Sequence, residues 1–313
     1  MFADIVYKTG HEYVQTYQDI QVGFLVSIPC LIGFIMAIIG IRGCYKIPSL
    51  NSPFGYLIRC QLCSQIVASS NSGLFYFFGV LLDFKFIINN SQISGLLATT
   101  LIPLIMGLHF LISINRFLAI SLPLYYNVIF KVQCRRFYVS VCCIVPIIYT
   151  PLFTWYYDCG YKFYHYGWVF SFIISDTCGT KFEVLLRGVQ SVMTNLILLL
   201  DFGTFLMLVC FGKRVLKTKS AEVRKREVNF GQQVVIQGIV SVIYGVFYSF
   251  AYKWIPGDTP ETWKIFWTSS FIANLLHIFS TGVIFVFNTE FSKWLRGGDR
   301  KQSSPISVIT TVV

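Results

Sequence analysis

The residues best equipped for chemistry in this chain are few, and apolar sequence surrounds them. In FLISINRFLAISLPLYYNVIF, Phe110–Phe130, a run without charge ends on Asn115 and Arg116. Asp201 lies inside LLLDFGTFL, and His109 precedes Arg116 by two helical turns, about 10 Å. Asn274 and His277 fall midway along another apolar run, with Asn195 and Tyr248 in two more. In hydrocarbon such groups are costly, so each is a functional candidate by default. An arginine at a helix end can snorkel to water and offer its planar donor fork to the backbone carbonyls of a docking partner. The others, if they converge, would form a polar floor beneath a pocket. Each also has a purely structural use as an interhelical hydrogen bond, worth about 0.6 kcal/mol on average. Enzyme chemistry is not indicated. Asp201-Phe202-Gly203 spells a kinase triplet with no phosphate loop or catalytic loop beside it. No H-E-x-x-H run occurs, and Cys60-x-x-Cys63 has no second ligand pair, so neither a metal nor a cofactor is expected.

The elements that must position these residues follow from composition. Of 313 residues, 55% are hydrophobic and only 12% charged, against about 25% charged in a soluble domain. Seven stretches reach the roughly 20 apolar residues that a helix needs to cross a bilayer: Val22–Ile41, Phe54–Leu82, Ile93–Ser121, Phe137–Tyr156, Leu185–Phe211, Phe230–Tyr252 and Ile265–Phe287. Runs such as PCLIGFIMAIIGI lack the polar face, at a period of 3.6, that a soluble helix would carry. The expectation is an all-α membrane protein: an N-terminal segment 1–21, a seven-helix bundle 22–288 and a tail 289–313. The first residues lack a basic start leading into a short apolar core, so span one is expected to serve as its own targeting signal.

Charge gives an expected orientation. Most of the 25 Lys and Arg residues fall in connections on one side, including Arg135, Arg136, Lys213, Arg214 and Lys225. The positive-inside rule then puts the N-terminus outside and the C-terminus in the cytoplasm. The net charge of +11 is thereby a topology signal, with attraction to anionic lipid second and no nucleic acid required. Asn89-Asn90-Ser91 is a glycosylation acceptor triplet on the expected outer side. Cys159 and Cys178 share a long outer loop, an oxidising setting in which a bridge would contribute about 3 kcal/mol.

Asn115-Arg116-Phe117 through Pro123 and Tyr126, N-R-F-L-A-I-S-L-P-L-Y-Y, resembles the D-R-Y-L-A-I-x-x-P-L-x-Y run at the end of span three in rhodopsin-like G-protein-coupled receptors. With KREVNFGQQVVIQG, FNTEFSKWL and a C…WVFSF…C loop, the chain resembles the nematode chemosensory serpentine receptors, class x. That resemblance implies a receptor for an external small molecule, an odorant, tastant or pheromone, with a heterotrimeric G protein as partner and sensory neuron cilia as its place. It assigns G-protein coupling to Arg116, with Asn115, Phe117 and Pro123 around it. Asn115 stands where the usual acid would be, and Glu227 at the start of span six is a candidate counter-charge across the cleft. Span six has no Trp-Pro pair, span seven reads T-G-V-I-F-V-F-N, and span three has no outer cysteine.

Phe291, Trp294 and Leu295 sit at helical spacing ahead of Gly297-Gly298, which suits a short amphipathic helix on the inner leaflet. Thr311-x-Val313 resembles a PDZ ligand. A transporter would show repeated halves and a channel a filter segment, and neither is found. A receptor-like protein that no longer signals stays open on sequence alone.

Overall fold

The computed structural model describes residues 15–47, 50–156, 159–172, 178, 183–215, 236, 238–240, 243, 247, 251, 253–287 and 289–297. Helix α1, Tyr17–Lys46, starts at Thr16, whose backbone N–H and hydroxyl both donate to the Asp19 carboxylate at 2.6 and 2.5 Å. This reciprocal cap satisfies donors that the first turn would otherwise leave open. Helix α2, Pro53–Leu74, is opened by Pro53 and by Ser52, whose hydroxyl accepts from the Gly55 N–H. It then widens into a π-helical stretch, Phe75–Leu81. The short α3, Lys85–Asn89, leads into α4, Ser91–Ser121, which is followed by α5, Pro123–Ile129, and α6, Val132–Tyr156.

Between α6 and α7 (Glu183–Val215) stands a hairpin. Strands β1, Tyr161–Tyr164, and β2, Val169–Phe172, pair antiparallel with Tyr161 opposite Phe172 and Tyr164 opposite Val169. The last span is α8, Glu261–Phe266, a second π-helical stretch Trp267–Phe271, and α9, Ile272–Phe287. A final helix, α10, covers Thr289–Leu295. Counting the segment around residues 236–254, these elements make a seven-span bundle. Among the described residues, α1, α4, α6 and residues Gly188–Met207 of α7 are long and apolar enough to cross a membrane. The spans run longer than the apolar runs: α1 extends from Tyr17 to Lys46 because caps and interfacial residues at each end continue the helix past the oily stretch.

Helix α4 packs against α2, α6 and α7, and α1 packs against α2 and α9. Without a hydrophobic drive between helices in lipid, close approach depends on small residues. Gly40 of α1 leaves room for Leu62, and Gly43 for Phe291. Phe291 is fully buried, so α10 tucks back against the end of α1, with Trp294 half-buried and Leu295 exposed. One apolar cluster, around Leu57, Leu62, Leu108, Ile112 and Phe291, fills the end of the bundle near Arg116. A second, around Val22, Phe75, Tyr76, Phe163, Trp168 and Phe266, fills the hairpin end.

Candidate functional site

Among the described residues, two polar centres stand out in this apolar bundle, one at each end. At the first, Arg116 is only 7% exposed although five residues of helix follow it. Its guanidinium lies 3.7 Å from the centroid of the Phe54 ring on α2, a cation–π contact that holds the charge inside the bundle. Asn115, also buried, donates from Nδ2 to the Tyr126 hydroxyl at 3.2 Å, which fixes α5 across the end of α4. Phe117 lies against Gly203 of α7, where a Cβ would come within 3.3 Å of its ring.

Asp201 completes this centre. It is 3% exposed on α7 and faces Ser113 and Arg116 of α4. From the sixth span Gly238 closes over it, a Cβ there lying 3.5 Å from Asp201 Oδ2. The structure thus brings Asp201 to the arginine rather than to the other pocket candidates. Helix α7 continues to Val215, past the apolar run, and Asp201 lies close enough to Arg116 on the neighbouring helix for their charges to interact.

Among the described residues, the other pocket candidates stand in separate settings. His109 is half-buried on α4. Asn274 accepts from Cys30 Sγ at 3.4 Å and donates to the Ser270 carbonyl at 2.8 Å, so it joins span seven to span one. Asn195 is exposed and donates to the Ser191 carbonyl of its own helix. Tyr248 and Glu227 lie outside the described residues, as do the side chains of His277 and Pro123 and the tail that carries Thr311 and Val313.

The second centre was not legible as a site. Cys159 and Cys178 are bridged, with Cα atoms 5.1 Å apart, and tie the two feet of the hairpin together. Its turn, His165–Trp168, points into the bundle. Gly167 and Trp168 both have positive φ, +78° and +46°. For a bulky side chain that conformation costs about 1–3 kcal/mol and persists only where the surroundings over-determine it. They do so here. Trp168 Nε1 donates to Asp19 Oδ1 at 2.6 Å, while its carbonyl accepts from the Tyr76 hydroxyl at 2.7 Å and the Ser270 hydroxyl at 2.8 Å. Its ring packs against Trp263 and Phe266, with centroids 5.2 and 6.0 Å away. Tyr76 and Ser270 each sit in one of the two π-helical stretches, which re-aim side chains and frequently occur at functional sites. Of these residues the cysteines were singled out from sequence, and Trp168 entered only as the first letter of the WVFSF run. The alternation Y-K-F-Y…V-F-S-F around a glycine is the signal that would have marked the hairpin.

Beside Trp168, burial pushes the His165 imidazole down from the usual 6.5 to about 4. The carboxylates of Asp19 and Asp83 pull it partly back, and Lys85, paired with Asp83 at 3.0 Å, pushes it further down. A histidine favoured as the neutral form contributes stability that is fully present above pH 6.5 and is lost as the pH falls toward 4. The loss approaches about 3 kcal/mol at most, and less because the ring is partly exposed. The purified protein is therefore expected to melt progressively lower between pH 6.5 and 4, and His165→Gln, neutral throughout, to flatten that slope in the same thermal scan. Equal slopes in the two proteins would refute the assignment.

At the same end Asn89 is exposed, and Ser91 is buried with its hydroxyl accepting from the Phe163 N–H at 3.4 Å.

Comparison with known proteins places this geometry. Residues 24–288 match the family described as "Serpentine type 7TM GPCR chemoreceptor Srx". The chain is 35% identical over 300 residues to "Serpentine receptor class X-43" of Caenorhabditis elegans, covering 96% of this chain and 94% of that one. The crystal structure of squid rhodopsin superposes with a TM-score of 0.69 over 91% of this chain and 82% of its own, at 15% identity, a likeness of fold alone.

Proposed function

The chain belongs to the Srx family of serpentine chemoreceptors, which makes it a chemosensory G-protein-coupled receptor and not an enzyme, and from that premise we propose that the Arg116 centre is where it engages its G protein. The observation that carries this is the burial of Arg116 over Phe54, with Asp201 opposite and Gly238 of span six closing the contact. Movement of span six would uncover the arginine and free its donor fork for the carbonyls at the end of a docking helix. Ligand can drive that movement only by binding the open form more tightly than the closed one.

In the orientation this reading requires, the Arg116 end faces the cytoplasm and the hairpin faces outside, in line with the basic residues near Arg116 and the disulfide at the other end. The receptor then resides in the plasma membrane of sensory cilia, and its ligand is an external small molecule. Anionic inner-leaflet lipid lies against the basic connections, and a PDZ domain is a further partner for the tail. Orientation is checked by treating cell-expressed protein with a glycosidase. A mobility shift in wild type that Asn89→Gln abolishes is expected. Glycan acquired instead at an acceptor engineered between spans five and six would reverse the topology.

Coupling is tested by screening wild type and Arg116→Ala, matched for surface level, against a ligand panel with a G-protein activation reporter. A response that falls at least tenfold in the variant is expected. A response that ignores the substitution would refute the assignment of Arg116.

A further inference from the structure

The hairpin tip is bound in the way a small molecule is bound. Its indole N–H meets a carboxylate that is 2% exposed, its carbonyl meets two hydroxyl donors, and its ring lies among aromatic walls. The three polar contacts come from three different spans, α1, α2 and the head of span seven, so nothing local to the hairpin sequence explains them. Trp168 is held there in a left-handed backbone conformation, and Gly167 before it lies where a Cβ would come within 2.5 Å of Ile265. A turn that only needed to cover the bundle would have no use for a tryptophan at positive φ.

Resting on the receptor reading above, we propose that this chamber is the ligand site, that the receptor's own Trp168 occupies it in the unstimulated state, and that external ligands are flat aromatic compounds that carry an N–H donor and an oxygen acceptor. The donor takes over Asp19 Oδ1, the acceptor takes over the Tyr76 and Ser270 hydroxyls, and the ring takes the place of the indole against Trp263 and Phe266. Competition is with a tethered group at high effective concentration, so a free ligand must win back that advantage. The displaced hairpin leaves as one piece, because the Cys159–Cys178 bridge holds its feet together. Its departure also removes the restraint that ties spans one, two and seven through a single residue.

The test uses purified full-length receptor in lipid nanodiscs, with hydrogen exchange read on the peptide spanning 161–172. The probe is N-acetyltryptophanamide, which carries the ring N–H and the acceptor. The control is N-acetylphenylalaninamide, which keeps the amide groups and lacks the ring N–H. Exchange in the hairpin is expected to quicken with the first and not the second. Trp168→Phe keeps an aromatic ring and loses the bond to Asp19, so the concentration of probe needed should fall by about tenfold or more. Ser270→Ala, which leaves the hairpin sequence untouched, should change the probe concentration as well. A hairpin that exchanges at the same rate with and without probe, in wild type and in a Trp168→Phe protein of unchanged melting temperature, would overturn the proposal. A G-protein reporter run in parallel separates the two readings. Hairpin release without activation supports the site while counting against coupling through Arg116. Activation by another compound with the hairpin unmoved overturns the site and leaves coupling intact.

Discussion

Asp201→Asn, which keeps the shape of the side chain and removes its charge, is expected to raise ligand-independent G-protein activation several-fold at unchanged surface level. Arg116 has Asn115 rather than an acid beside it, and the Asn115 amide is committed to Tyr126. The acid facing it comes instead from α7, where Asp201 is 3% exposed among Ser113, Arg116 and Gly238. Away from water an unpaired carboxylate and an unpaired guanidinium are each costly, so their proximity favours the closed arrangement. Loss of about 1.4 kcal/mol of that preference shifts the closed-to-open ratio tenfold. The reporter that measures ligand response also gives the basal level. Asp201→Glu should stay nearer wild type, and in an Arg116→Ala background Asp201→Asn should add nothing. A basal level unchanged by Asp201→Asn would remove Asp201 from the switch and leave it as a packing residue.

This juxtaposition shows what the sequence carried and what it withheld. The seven spans were legible because a bilayer imposes length and apolarity, and these leave a strong local signal. The Cys159–Cys178 bridge followed from compartment and count, and the structure has it. That Asp201 would stand opposite Arg116 was not legible, because the way two helices far apart in sequence face each other leaves no local mark. The seating of Trp168 was illegible for a further reason. Its partners are residues 19, 76 and 270, and the two that donate to its carbonyl are aimed by π-helical stretches that shift the register of their helices. Periodicity of 3.6 cannot anticipate such a shift.

Gly95→Ala is expected to lower the melting temperature markedly and to unseat the hairpin, by about 2–3 kcal/mol if the strain is only partly relieved. On most helices this exchange stabilises, because alanine has the better helix propensity by about 0.5–1 kcal/mol. At Gly95 of α4 the added Cβ would stand 1.9 Å from the Tyr161 carbonyl oxygen and 2.8 Å from its carbon. These are backbone atoms of β1, so no rotamer change makes room, and the strand must lift from α4. Lifting weakens the bond from the Phe163 N–H to Ser91, already 3.4 Å, and draws Trp168 away from Asp19 and from the hydroxyls of Tyr76 and Ser270. One methyl group on span three therefore acts on contacts with spans one, two and seven. Gly188→Ala on α7, where nothing lies within 4 Å, supplies the control and should be neutral or slightly stabilising. Thermal unfolding of the two variants, read with hydrogen exchange across 161–172, decides the matter. If Gly95→Ala melts with wild type and its hairpin stays protected, β1 is not seated on α4 through this contact, and the hairpin must be held from the Trp168 side alone.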